Sequence, residues 1–172
     1  HCYVVNFSDA LSSVKKAIGN AEKTSGIKIR KCFVAISGVT LRGETSSGSS
    51  VISKADGEVT SLDVKKALEE AEENLNLNNR KVIKSFPISY RLDGKEILGR
   101  LYGTRGIKLE IKALFITYNS THLEDLLEII EEAGVETIDI IPSPIAASQI
   151  VLSDKEKIVG SALVDIGVET SS

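Results

Sequence analysis

The pattern of apolar and polar positions is clearest in Ile107 to Tyr118. Ile107, Leu109, Ile111, Ala113 and Phe115 fall on one face, and Lys108, Glu110 and Lys112 on the other. A period of two marks a strand with one buried and one wetted side. Beyond Lys112 the second face turns apolar too, through Leu114, Ile116 and Tyr118, which predicts cover on both sides at that end. This is the expected centre of a small helix-backed sheet.

The remaining pattern supplies its neighbours. Tyr3 to Phe7 reads as a short strand; Ser8 then caps a helix with Leu11, Val14, Ile18 and Ala21 on one stripe and Gly26 as its stop. Lys31 to Ser37 is apolar on both faces, which predicts a strand interior to a sheet. Val39 to Gly43 keeps some strand character. Glu44 to Ser50, rich in serine, reads as a loop or an irregular edge strand before extended structure resumes at Val51 to Ser53.

Thr60 opens a second helix, and Asp63 is placed to complete a capping box. Val64, Ala67, Leu68, Ala71 and Leu75 form its buried stripe, leaving Glu69, Glu70, Glu72 and Glu73 as a solvated face. Lys81 to Leu92 predicts a second long strand in which Val82, Phe86, Ile88, Tyr90 and Leu92 alternate with mostly polar neighbours; Pro87 offers no ladder donor and puts it at an edge or a bulge. A third helix starts at Ser120 or Thr121, buries Leu123, Leu126, Leu127, Ile130 and Ala133, and stops at Gly134. His122 in its first turn is expected to be exposed and inert. Val135 to Ile141 is a further strand, Ser143 and Pro144 open a short helix through Leu152, and Ser161 to Ile166 is a last strand.

Between the two long strands lies Asp93 to Gly106, with Gly94, Gly99, Gly103 and Gly106. Connections of this length tend to be functional or mobile. Lys95, Arg100 and Arg105 give it positive charge and Tyr102 is its expected aromatic anchor; Arg100, Tyr102 and Arg105 are the candidate interaction residues. A floppy hairpin tip is the bland alternative. A phosphate cradle is the weakest reading, because no helix N-terminus follows the glycines.

From Glu44 to Ile141 the order strand, helix, strand, strand, helix, strand predicts an α/β fold containing a two-layer, split βαβ-like unit. The outer segments look like another sheet that this unit interrupts. An apolar content of 42% is enough for a core, and the low aromatic content with no Trp makes that core aliphatic. A net charge of −3 with mixed signs argues against nucleic-acid and membrane-surface binding, which need a concentrated basic face. No apolar run approaches the ~20 residues of a membrane span. Cys2 and Cys32 lack metal or redox spacing and are expected to be reduced and buried in a cytoplasmic protein, a disulfide being the alternative. The chain begins at His1, contains no methionine and reads as a piece of something longer.

Several stretches form an ordered set: Val34-Ala35-Ile36-Ser37-Gly38, Glu58-Val59-Thr60 with Asp63-Val64, and Tyr90-x-x-Asp93-Gly94. Gly103-x-x-Gly106-x-x-Leu109, Glu132-Ala133-Gly134, Pro144-x-Ala146-Ala147-Ser148 and Leu152-Ser153-x-x-Glu156 follow, and then Gly160-x-x-Leu163-Val164-Asp165-Ile166-Gly167. In their order and spacing they resemble the FtsA family of actin-like bacterial cell-division proteins. The resemblance implies an actin-like ATPase core in two pieces, residues 1–38 and 139–172, around an inserted subdomain at 39–138. It further implies self-association, recruitment of later division proteins, FtsZ binding and peripheral attachment to the inner membrane through parts outside this chain. The related pilus-assembly protein PilM, sharing core and insert, is the alternative.

The family's second phosphate loop resembles Asp165, Ile166, Gly167 and Thr170, which would bind ATP and Mg. Val168 and Glu169 stand where glycines are expected, opposing both close approach and negative charge. A plain strand end and turn is the other reading. The chain is accordingly expected to be an interaction module and not an enzyme, holding at most half of one phosphate loop and binding no nucleotide tightly.

Overall fold

The computed structural model describes residues 4–164 and 166. In chain order the elements are α1 (Phe7–Ser25), β1 (Lys31–Ile36), β2 (Arg42–Val51), α2 (Ser61–Glu73), β3 (Arg80–Leu92), β4 (Lys95–Glu96), β5 (Lys108–Asn119), α3 (Ser120–Glu132), β6 (Glu136–Pro142), α4 (Ser143–Val151) and α5 (Asp154–Val159). They divide between two compact units. The first comprises His1–Arg42, Asn79–Ile83 and Tyr118–Ser172; the second comprises Gly43–Asn78 and Lys84–Thr117.

In the first unit β1 and β6 pair in parallel, with the register slipping once between Cys32 and Phe33. Val34 and Ile36 join Tyr118, Leu123, Ile130 and Val135 in one apolar cluster, against which Ile18, Ile29, Leu126 and Leu127 pack. Phe33, on the other face of β1, is exposed. The strand expected to be interior is therefore covered on one face, and among the described residues its sheet partner is β6 alone. Cys32 is free and half-buried, less enclosed than expected.

Several boundaries differ from the sequence reading. Val4 to Asn6 form no strand, Tyr3 lies outside the described residues, and α1 begins at Phe7, because Asn6 caps it by accepting from the Asp9 N–H at 3.2 Å. Ala21 at the end of the expected stripe is exposed. Asn119, not Ser120 or Thr121, caps α3; its side chain accepts from the His122 N–H at 3.1 Å, and His122 is half-buried rather than exposed. A second capping box, Ser153 with Glu156, starts the unforeseen α5. Ser161 to Val164 form no strand, and Ile166 makes an isolated bridge.

The third helix also changes place. The expected middle segment, 39–138, includes α3, but α3 packs against α1 and β6, and its Leu123 and Ile130 fill the first unit's cluster. The second unit stops at Thr117, where the apolar residues of the chain turn to a different core.

The second unit is a four-stranded sheet in the order β2-β5-β3-β4 with α2 as its helix. Strand β5 lies between β2 and β3, and its Leu109, Ile111, Ala113 and Phe115 are fully buried. Each large side chain so enclosed contributes about 1.5–3 kcal/mol relative to exposure. Ile107, expected on this face, precedes the strand and is exposed. On the other face Leu114 and Ile116 are half-buried. A Cβ on Gly43 would lie 3.3 Å from Leu114 and 3.8 Å from Ile116.

Strand β2 runs through the serine-rich stretch that reads as a loop. Its composition follows from helix packing: a Cβ on Gly48 would stand 2.3 Å from both the Ala67 oxygen and the Ala71 nitrogen of α2. Only glycine lets the helix backbone come that close. Ala67 and Ala71, both fully buried, are the matching small residues on the helix.

Candidate interaction surface

Two carboxylates, Asp63 and Asp93, tie separate segments of the second unit together. Thr60 and Asp63 form the capping box the sequence predicts. The fully buried Asp63 also reaches back toward the end of β2: one oxygen accepts from the Ser53 N–H at 2.9 Å and the Ser53 hydroxyl at 2.8 Å. Its other oxygen accepts from the Thr60 N–H at 2.8 Å and the Thr60 hydroxyl at 2.6 Å. Burial pushes this carboxyl up, but the four hydrogen bonds outweigh it and hold the group well below the usual carboxylate range. The arrangement is structural, since every lone-pair direction in use points at a local donor.

Asp93 does the same for the long connection. Leu92 pairs with Lys95 and Arg91 with Glu96, so Asp93-Gly94 is a two-residue hairpin turn. Both residues have positive φ, 50° and 78°, as the type I′ turn requires. The Asp93 N–H donates to the Lys108 oxygen at 2.9 Å, while its carboxylate accepts from the Ile107 and Lys108 N–H groups at 3.0 and 2.9 Å. Gly106 lies under this clamp; a Cβ there would meet Leu92 at 2.5 Å.

The connection is thus a short hairpin followed by a fastened loop, 97–107. The Ile97 N–H donates to the Tyr90 oxygen at 3.0 Å. The Val59 N–H donates to the Thr104 oxygen at 3.0 Å, and Gly106 donates to the Gly57 oxygen at 3.0 Å. Glu58 and Arg105 form an antiparallel bridge between these bonds. The loop's anchor is Leu101, which is buried; the expected anchor, Tyr102, is 60% exposed. Tyr102 lies near the half-buried Tyr90, whose hydroxyl is pushed up first by burial and then by the Tyr102 charge.

The three candidate residues share this loop but not one environment. Arg100 is exposed. Arg105 faces acidic company: its charge helps lower the Asp56 carboxyl, mainly held down by the Glu58 N–H, and Lys54 pairs with both Asp56 and Glu58. Around them Leu98 is 94% exposed and Ile107 74%. Leu98 went unnoticed in the sequence because an isolated leucine in a glycine-rich stretch has no period to mark it. Asp165, Gly167 and Thr170 lie outside the described residues, so the phosphate-loop reading has no geometry here.

One sequence reading of the glutamates needs amendment. Glu70 on α2 accepts a hydrogen bond from the Ser49 N–H of β2, which lowers its carboxyl first among the causes, and the Asn74 amide donates to the Ser47 oxygen at 3.0 Å. The helix thereby satisfies outward-facing backbone groups of the edge strand β2. Beside them a groove of about 520 Å³ runs past Ser89, Arg91, Lys108, Glu110 and Lys112. Its polar, mixed-sign lining marks the wetted face of the sheet.

The fold is shared with a solved structure. A chain of the PilM-PilN type IV pilus biogenesis complex superposes with a TM-score of 0.55 at 12% identity, over 86% of this chain and 38% of that one. Residues 38–117 match the SHS2 domain inserted in FtsA. Across 95% of its length the chain is 30% identical to the cell division protein FtsA of Bacillus subtilis, covering 37% of that protein. It is likewise 30% identical to that of Streptococcus pneumoniae over 95% of the chain, and 29% identical to that of Pseudomonas aeruginosa over 98%. The chain is thus similar to FtsA over nearly all of its length, and residues 38–117 carry the likeness to the inserted SHS2 domain. It spans about two fifths or less of the length of these relatives.

Proposed function

We propose that the segment serves bacterial cell division as a protein-interaction and self-assembly module, with the second unit as the contact-making part. The observation that carries this is the 97–107 loop, fastened by Leu101, Asp93 and its bonds to 57–59 yet presenting Leu98, Arg100, Tyr102 and Ile107 outward. A rigid loop with exposed apolar and cationic side chains loses little entropy on docking. FtsZ anchoring and peripheral attachment at the inner face of the membrane belong, on this reading, to parts of the whole protein outside the segment. No helix among the described residues is long and apolar enough to cross a membrane.

ATP with Mg is assigned to the whole protein, with Asp165, Gly167 and Thr170 as this segment's share of the phosphate site. Titration of labelled ATP against the segment is expected to show no micromolar binding. A pilus-assembly role rests on shared fold alone, whereas the division reading has the SHS2 match and the relatives' sequence likeness. The deciding experiment is the Arg100→Glu variant of the full-length protein, expected to weaken filament formation or recruitment of division proteins while its melting temperature is unchanged. Wild-type assembly and recruitment in that variant would remove the loop from the interface.

A further inference from the structure

The outer layer of the first unit has one helix of each sign. Helices α1 and α3 each run into one of the two parallel strands, β1 and β6, and both pack on the same apolar cluster, through Ile18 and through Leu123 and Ile130. They therefore lie side by side and point the same way. A cavity lined by Ile18, Gly19 and Glu22 together with Ala133, Gly134 and Val135 sets their C-terminal turns level.

With the apolar residues turned inward, the helical repeat of about 3.6 residues puts Lys16 and Lys23 on the outer side of α1 and Glu128 and Glu132 on that of α3. Lys15, Lys16 and Lys23 line an open groove of about 530 Å³ along α1 with Ser8, Ser12 and Asn20, and no acid lines it. Glu128, Glu131 and Glu132 line the neighbouring surface of α3, which carries five carboxylates from Glu124 to Glu132 and no lysine or arginine. Glu124 is paired, to Lys81 at 2.6 Å. Among the described residues, the three lysines and the three outer glutamates make no ion pair. The two acids of α1 stand apart from the groove. Glu22 is held by Lys28 at 2.8 Å and by the Ile29 N–H at 2.9 Å, and Asp9 lies in the first turn, level with the acid-free start of α3.

Gly19 interrupts α1 in mid-helix, where glycine is the poorest helix former after proline. A Cβ there would meet nothing within 4 Å, so packing within the chain does not require it. It keeps the lysine-lined groove open to an approaching side chain.

We propose that two copies of the chain associate face to face through this layer, about a two-fold axis running along the helices, so that α1 of each lies on α3 of the other. The layer is complementary to itself in that arrangement, because the lysines of one copy meet the glutamates of the other twice. A nucleic acid, an anionic membrane or an acidic peptide is the poorer occupant, since the carboxylates of α3 would repel it beside α1. An overlap about 20 Å long and two helix diameters of about 10 Å wide gives roughly 400 Å² per copy, the size of a weak, transient contact. The proposal rests on the self-assembly reading but uses the first unit, not the 97–107 loop.

Sedimentation equilibrium of the intact chain tests it. Expected is a monomer–dimer equilibrium with a Kd of about 100 μM at about 20 mM salt, at least about tenfold weaker at about 0.5 M. Lys16→Glu/Lys23→Glu and Glu128→Lys/Glu132→Lys should each abolish the dimer. Mixing the two variants should restore it as a heterodimer, since one contact is then rebuilt with its signs exchanged and the other is native. Lys65→Glu/Lys95→Glu, the same change of net charge on the second unit, and Arg100→Glu should leave the equilibrium unchanged. Gly19→Gln should raise the melting temperature yet weaken the dimer at least about fivefold, which separates the surface from the fold. No dimer at about 500 μM, a dimer that salt strengthens, or reversed variants that fail to pair would each overturn the proposal. So would equal loss in Lys65→Glu/Lys95→Glu. Failure here with Arg100→Glu still impairing assembly of the full-length protein would remove the α1–α3 layer and spare the loop.

Discussion

Gly48 and Ala67 stand so close that a single methyl group cannot be placed between them: a Cβ on Gly48 would come within 2.3 Å of the Ala67 oxygen. The obstacle is helix backbone, which cannot swing aside as a side chain would. Gly48→Ala is therefore expected to destabilise the second unit by about 2–4 kcal/mol, at or above the usual cost of overpacking. Gly99→Ala, at a position with nothing within 4 Å, is the control and should stay within about 0.5 kcal/mol. Urea denaturation of both variants checks the contrast.

Asp63 joins the end of β2 to the start of α2, and its removal leaves the Ser53 and Thr60 donors without their acceptor. Asp63→Ala is expected to cost about 2–4 kcal/mol at neutral pH, because hydrogen bonds to a buried charged group are among the stronger ones. The pH dependence follows from the sign of the shift. The folded-state carboxyl is held below its unfolded value of about 3.9, so its stabilisation is complete above that pH and declines as pH falls through the folded value. The stability gap between wild type and Asp63→Asn should thus be constant from pH 7 to about 5 and shrink toward pH 2. A gap that widens on acidification would contradict the assignment.

Leu98 and Leu101 sit three residues apart in the same loop with opposite fates. Leu101→Ala removes a buried anchor and should cost about 2–3 kcal/mol, in the range for core leucines. Leu98→Ser should change stability by less than about 0.5 kcal/mol. In the full-length protein, however, Leu98→Ser should reduce assembly or partner recruitment. Thermal melting and pelleting assays read the two effects separately.

Asp93 holds a positive φ and clamps the Ile107 and Lys108 amides. Asp93→Asn keeps the turn preference and one acceptor, and should cost less than about 1 kcal/mol. Asp93→Ala loses both and should cost about 1–2 kcal/mol. Hydrogen exchange at Ile107 and Lys108 should accelerate in Asp93→Ala and remain near wild type in Asp93→Asn.

Some of this could be read in advance because the signal was local. The alternation of Leu109, Ile111, Ala113 and Phe115 specifies a half-buried strand from any starting point, and Thr60 with Asp63 forms its box within one helical turn. Gly134 likewise ends α3 through its own positive φ of 86°. The sequence by itself determined these elements, their order and the likeness to an inserted subdomain. Tertiary structure alone decided the rest. It made a strand of the serine-rich β2 because α2 needs a surface without side chains at Gly48, and it assigned α3 to the first unit because the partners of Leu123 and Ile130 are Val34 and Ile36, some ninety residues earlier. It chose Leu101 over Tyr102 as the loop's anchor, and turned Glu70 from a surface charge into a guard on a strand edge. Each of these depends on which distant group arrives opposite, and periodicity along a chain carries no record of that.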